Sequence, residues 1–178
     1  DPYPDTEDSC PEGVVGWTST LFDHDGDGCH DLQEDDDDDN DQIPDTDDLC
    51  PVGMTLWFSE PASDYDSDGC HDVAEDLDID NDGVLDETDL CPRGMLGWTS
   101  TPLNDWDSDG CQDNFEDNDD DGDGLSDWSD DCIRSAFSPQ AHVDADGDGC
   151  DDNTEDSDLD NDGIESAYDN CENDPSSE

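Results

Sequence analysis

Carboxylates recur at alternate positions in the stretch Asp78 to Cys91, DIDNDGVLDETDLC. Asp78, Asp80 and Asp82 stand two residues apart, Gly83 follows, and Asp86 and Asp89 close the unit. Counted from Asp78, side-chain oxygens fall at positions 1, 3, 5, 9 and 12, with glycine at 6 and the backbone carbonyl of Val84 at 7. A hard dication such as calcium takes roughly six to eight oxygens, and a curled twelve-residue loop delivers them at this spacing. The glycine permits the sharp turn that brings the later positions back to the ion.

A single such match means little at this density of aspartate, but the chain holds eight in fixed phase. First loops begin at Asp23, Asp64, Asp105 and Asp144, and second loops begin 14 residues later, at Asp37, Asp78, Asp119 and Asp158. The pairs recur at steps of 41, 41 and 39 residues. The expected ligands of the first loops are Asp23, Asp25, Asp27, Cys29, Asp31 and Glu34; Asp64, Asp66, Asp68, Cys70, Asp72 and Glu75; Asp105, Asp107, Asp109, Cys111, Asp113 and Glu116; and Asp144, Asp146, Asp148, Cys150, Asp152 and Glu155. The cysteines enter through their carbonyls, and the position-12 glutamate can bind an ion through both oxygens. The second loops supply Asp37, Asp39, Asp41, Ile43, Asp45 and Asp48; the six residues from Asp78 to Asp89 given above; Asp119, Asp121, Asp123, Leu125, Asp127 and Asp130; and Asp158, Asp160, Asp162, Ile164 and Asp169. Ser166 stands where the last loop would carry its position-9 aspartate. Gln42 replaces the position-6 glycine, and a side chain there is strained if φ is positive. Residues 1–9 align with the end of a further second loop, whose Asp5 and Asp8 fall at positions 9 and 12. A chain that starts inside a loop is expected to be part of a longer array or to borrow ligands from a neighbour.

These loops must be positioned by a chain with little apolar material. Leu, Ile, Val and Phe number 25 of 178 residues, short of the roughly one-fifth typical of a chain with a sizeable core. The formal net charge is −58, from 60 acidic and two basic side chains. Composition of this kind by itself marks disorder, which is the state expected without metal; the fixed register argues for order with it. The charge excludes nucleic acid and anionic membranes as direct partners. At least eight Ca2+ ions are expected, and they would still leave most of the charge in place. No apolar run reaches the length of a membrane span, and no signal peptide is visible.

The nine cysteines, at 10, 29, 50, 70, 91, 111, 132, 150 and 171, are spaced 18 to 21 residues apart. Without close C-x-x-C pairs they do not suit zinc, and they point to disulfides in an extracellular or cell-surface setting. Sequential pairing has two phases, 10–29, 50–70, 91–111 and 132–150, or 29–50, 70–91, 111–132 and 150–171. The first is preferred, because the irregular spacings fall within it while the constant 21-residue segments hold loops that ions already constrain. Either phase leaves one cysteine over. The cysteines frame the organisation: residues 1–9 end a preceding repeat, 10–49, 50–90, 91–131 and 132–170 are repeats one to four, and 171–178 begin another or form a tail.

Each repeat opens with a short apolar insert. Cys10, Cys50 and Cys91 are followed by Pro, any residue and Gly, then by Trp17, Trp57 and Trp98; repeat four departs, with Ile133, Ala136, Phe137 and Ser138. A small core packed on a disulfide is the preferred reading, with carbohydrate or partner contact as the alternative. Ile43, Val84, Leu125 and Ile164 are expected to plug the space between units. No sustained helical period is present, so loops and turns are expected, with at most a short turn near Asp31 to Glu34 and its counterparts, and a strand pair in the inserts only weakly signalled. His24, His30, His71 and His142 are scattered and are read as solvent-facing loop residues. No nucleophile motif is present, so no enzyme activity is expected. Thr18, Ser19, Thr20, Thr99, Ser100 and Thr101 are candidate O-glycan sites.

The D-x-D-x-D-G-x-x-D-x-x-D-x-C units with periodic cysteines resemble the thrombospondin type 3 repeats, over residues 1 to 171. The CPEGVVGWTST and CPRGMLGWTS inserts are more similar to those of long secreted calcium-repeat proteins of microbes. Dockerin modules share the loop, but their loops precede apolar helices, absent here. The resemblance implies an irregular extracellular wire wrapped around a line of Ca2+ ions, an elongated, solenoid-like rod with disulfides between neighbouring units, a mechanical or adhesive role and no catalysis. The leading expectation is a calcium-stiffened rod or filament segment, with head-to-tail self-association; a soluble acidic calcium reservoir or mineral-binding protein and a calcium-dependent adhesion stalk are the alternatives.

Overall fold

Aspartate and glycine at this density oppose helix interiors, and the chain folds as a succession of closed loops. The computed structural model describes residues 3–4, 6–135 and 143–170, and for Ser19 and Thr20 the backbone alone. Among them the one helix is a single turn, Ser19–Phe22 (α1), which the sequence did not signal. No strand forms in the described inserts. The short turn expected near Asp31 to Glu34 is present: the Glu34 amide donates to the His30 carbonyl at 3.1 Å, and Glu75, Glu116 and Glu155 repeat this bond to His71, Gln112 and Asp151.

Two bonds close every loop. The position-9 amide donates to the carbonyl of the residue just before the loop, from Asp31 to Phe22 (3.0 Å) through to Ser166 to Ser157 (2.7 Å), in all eight loops. The position-9 side chain in turn accepts the position-2 amide, at 2.8 to 3.2 Å. In the last loop the Ser166 hydroxyl accepts the Leu159 amide at 3.2 Å, so this substitution preserves the closure that the aspartates make.

Disulfides join Cys10 to Cys29, Cys50 to Cys70, Cys91 to Cys111 and Cys132 to Cys150, the preferred phase. Each links the residue two past the end of a second loop to position 7 of the next first loop. A backbone bond runs beside each, from Ser9 to Asp27, Leu49 to Asp68, Leu90 to Asp109 and Asp131 to Asp148. Two covalent and hydrogen-bonded contacts thus fix each junction, where a loop of about 20 residues closed by a disulfide contributes roughly 3 kcal/mol in the chain-entropy model. Cys171 lies outside the described residues.

Among the described residues, Cys29, Cys70, Cys111 and Cys150 are the only buried apolar side chains. Most of the other buried side chains are carboxylates: Asp39, Asp41, Asp64, Asp82 and Asp105 have no exposed surface at all. The tryptophans of the inserts are half-buried, and two of them pack on imidazoles, Trp17 edge-on to His30 at 5.2 Å and Trp57 to His71 at 4.8 Å, with Phe22 stacked on His30 at 4.9 Å. His30 is therefore buried, at 5% exposure, and corrects the solvent-facing reading: its ring supplies the flat surface that the insert needs. His24 is exposed; His142, Ala136, Phe137 and Ser138 lie outside the described residues. Ile43, Val84 and Leu125 are only half-buried and Ile164 is exposed, so none is a sealed plug.

The chain divides into two compact units, Asp1–Asn81 with Leu85–Glu87, and Asp82–Val84 with Thr88–Glu178. The divide falls inside the second loop of repeat two.

Candidate metal centres

The curl of each loop is set by two residues with positive φ, at positions 4 and 6. Position 6 takes values from 84° at Gln42 to 100° at Gly124; position 4, filled by Gly26, Asn40, Ser67, Asn81, Ser108, Gly122, Gly147 and Asn161, takes 54° to 84°. Glycine and asparagine tolerate this region best. The successive reversals turn the amides inward, where the acidic side chains accept them. The position-7 amide donates to the position-5 carboxylate in all eight loops, at 2.7 to 2.9 Å. The position-6 amide donates to the position-1 carboxylate, from Gly163 to Asp158 (2.9 Å) to Gly28 to Asp23 (3.5 Å).

In several of these carboxylates one oxygen is so committed and the other is buried. Asp23 Oδ2, Asp37 Oδ1, Asp41 Oδ2, Asp119 Oδ1, Asp158 Oδ1 and Asp160 Oδ2 are buried with no hydrogen-bond partner. Buried carboxylate oxygens are costly unless paired or bound to metal. Carboxylate oxygens of Asp23, Asp25 and Asp27 lie within 4.8 Å of one another, as do those of Asp37, Asp39 and Asp41 and of Asp64, Asp66 and Asp68. That span matches opposed ligands about 2.3–2.6 Å from one calcium ion. Among the described residues the carbonyls of Cys29, Ile43, Cys70, Cys111, Leu125, Cys150 and Ile164 accept no hydrogen bond, which leaves them free for a cation. The sulfurs of the cysteines are committed to disulfides. Burial, reinforced by neighbouring carboxylates, pushes Asp41 up to about 6 and Asp48 up to about 7.

Position 13 of the first loops was not anticipated. Asp35, Asp76, Asp117 and Asp156 each accept the amide two residues on through Oδ1, at 2.7 to 3.1 Å. Each also buries an unpartnered Oδ2, and Asp35 groups with Asp27 of the same loop. Burial comes first in raising all four, and loop carboxylates add to it: Asp27 at Asp35, Asp68 at Asp76, Asp127 at Asp117, Asp148 at Asp156. The signal was available, since aspartate fills this place in every first loop.

The position-12 residues connect repeats. Asp8, Asp48, Asp89 and Asp130 accept the amides of Cys10, Cys50, Cys91 and Cys132. Their carboxylates lie over the position-6 glycine of the next first loop, where an added Cβ would meet them at 2.1 Å at Gly69 and 2.2 Å at Gly110. The second-loop Gly124 and Gly163 have nothing within 4 Å of that point, which explains how Gln42 is accommodated there. The first-loop glutamates reach backward instead. Glu34 accepts the amides of Val14 (2.7 Å) and His30 (3.2 Å), and Glu75 and Glu116 repeat this with Met54 and His71 and with Met95 and Gln112. A Cβ at Gly13, Gly53 or Gly94 would strike these glutamates, the physical reason for the C-P-x-G motif. Ser59 and Ser100 donate hydroxyl bonds to Asp64 and Asp105 at position 1, so Ser100 is occupied as an O-glycan site. Asp5 lies outside the described residues.

A family model described as the thrombospondin type 3 repeat matches residues 63–94 and 141–178. These segments hold both loops of repeat two and both of repeat four. A search of curated proteins returned no match.

Proposed function

We propose that the chain is an extracellular, calcium-stiffened structural segment and not an enzyme, a reading supported by the match of residues 63–94 and 141–178 to the thrombospondin type 3 repeat. Ions are held by positions 1, 3, 5, 7, 9 and 12 of the eight loops, position 9 being aspartate in all but the last, and each of the four repeats, 10–49, 50–90, 91–131 and 132–170, carries two. The observation that carries this is the set of buried, unpartnered carboxylate oxygens at Asp23, Asp37, Asp41, Asp119 and Asp158, whose sister oxygens accept loop amides. In the folded loop the backbone amides orient the acids toward the ion. Metal binding then becomes folding free energy, since no apolar core holds the carboxylates together. With two loops per disulfide junction, loading would produce an extended, rod-like array whose stability is nearly one-dimensional. The four disulfides suit an extracellular setting, and no helix among the described residues is long and apolar enough to cross a membrane.

Small-angle X-ray scattering of the disulfide-intact chain in millimolar calcium and again in EDTA tests the proposal. A thin, stiff particle that loosens on chelation is expected. The same expanded coil in both conditions would sink it and leave a soluble calcium reservoir as the better description.

A further inference from the structure

The repeats place different residues in matching surroundings, and one difference concerns charge. The chain's two basic side chains, Arg93 and Arg134, each stand two residues past a repeat-opening cysteine. Arg134 Nη2 contacts Asp113 Oδ2 at 2.5 Å and Asp120 Oδ2 at 3.0 Å, and its Nε donates to Asp120 at 3.1 Å. Asp113 is position 9 of a first loop; Asp120 is position 2 of the following second loop. Position 2 is acidic in two repeats only, as Asp38 and Asp120, against Ile79 and Leu159.

Repeat one builds the same acidic arrangement without the arginine. Oxygens of Asp31, Asp35 and Asp38, at positions 9, 13 and 2, lie within 4.8 Å of one another. The residue in Arg134's place is Val52, exposed and uncharged. The register is secured by the next amide along, which donates to a position-3 carboxylate in both cases, Gly53 to Asp39 at 3.0 Å and Ser135 to Asp121 at 2.7 Å. Asp38 is only 7% exposed, and its Oδ1, like Asp35 Oδ2, is buried without a hydrogen-bond partner. Asp31 divides its work as Asp113 does, with Oδ1 holding the position-2 amide of His24 at 3.1 Å; in Asp113, Oδ2 is the oxygen that meets the guanidinium.

We propose that Asp31, Asp35 and Asp38 hold a further calcium ion between the two loop sites of repeat one, and that the Arg134 guanidinium takes that ion's place in repeat three. Three carboxylates with no nitrogen or sulfur donor suit a hard dication. The planar guanidinium suits a pair of carboxylates when the cation is built into the chain. The proposal rests on calcium being the ligand of the loops, but it adds a site that the loop spacing does not contain.

Native mass spectrometry of the full, disulfide-intact chain at saturating calcium counts ions as integers. Val52→Arg is expected to bind one ion fewer than wild type. Arg134→Val, which opens Asp113, Asp117 and Asp120, is expected to bind one more. A count that stays at the wild-type value in either folded variant overturns the proposal while leaving the loop sites intact. Should Val52→Arg fail to fold, Arg134→Val decides alone. A wild-type chain that takes up no defined set of calcium ions would overturn the loop reading as well, so the two failures are told apart in one experiment.

Discussion

Leu56 sits at φ 69° and is 97% exposed, in the place that Gly16 and Gly97 occupy before their tryptophans. An L-residue in this region costs about 1–2 kcal/mol, and nothing in the packing of Leu56 offsets it. Leu56→Gly should therefore stabilise the calcium-loaded chain by about 1 kcal/mol, read as a raised urea midpoint with unchanged slope; a lower midpoint would mean that Leu56 makes contacts that matter. The position-6 glycines allow a sharper comparison. Gly69 and Gly124 have similar positive φ, 90° and 100°, so alanine costs both about 1–2 kcal/mol in backbone strain. Only at Gly69 does the new Cβ also run into a carboxylate, that of Asp48, adding about 1–3 kcal/mol of overpacking. Gly69→Ala should be the more damaging change in paired denaturation curves, and equal losses would show that the Asp48 contact is not tight.

Within a loop, the aspartates at position 13 act beyond the expected ligand set. Asp76 accepts the Asp78 amide through Oδ1 and buries Oδ2. Asp76→Asn preserves the oxygen that takes the amide and removes the charge beside Asp68. Calcium affinity of repeat two should fall about tenfold, the low end of what losing a supporting contact costs a metal site, with the disulfide pattern unchanged. Isothermal titration checks this, and an unaltered isotherm would make Asp76 a turn-former only. The junctions explain why the loops work in pairs. The Cys50–Cys70 disulfide, the Leu49 to Asp68 backbone bond and the Asp48 carboxylate over Gly69 all meet at one place, which ties the end of one loop to the start of the next.

At the scale of the whole chain, the interior is acid, and protons and calcium compete for it. Burial, with neighbouring carboxylates adding to it, pushes Asp38, Asp48, Asp66 and Asp107 up to about 7 and Asp35, Asp120, Asp130 and Asp146 up to about 6. In the unfolded chain these groups titrate near 3.8. The metal-free fold therefore binds more protons than the unfolded chain between those values, and its stability falls as pH rises from about 4 through 7. Calcium requires the deprotonated acids, so its affinity should rise over the upper part of that window. Adding calcium at pH 6.5 in weak buffer should release protons, and much less so at pH 8.5. Equal release at both, or none, would contradict the buried-acid arrangement.

Much of this was legible before any coordinates. The Asp-x-Asp-x-Asp-Gly spacing repeated in phase pointed to the loops and their pairing, because the curl of a short loop depends on local geometry and local spacing carries it. The composition pointed away from a sizeable apolar core and from long helices for the same local reason. The preference for Cys10–Cys29 pairing rested on the constancy of the other spacing, an argument from chain length alone. Tertiary structure decided what depends on residues far apart in sequence. It placed His30 under Trp17, laid Asp48 over Gly69 and turned Glu75 toward Met54. It also brought Arg134 to Asp113, 21 residues away, which no loop motif encodes. Those contacts form across closed loops and disulfide junctions, where burial and charge depend on which side chains meet, and local spacing does not specify that meeting.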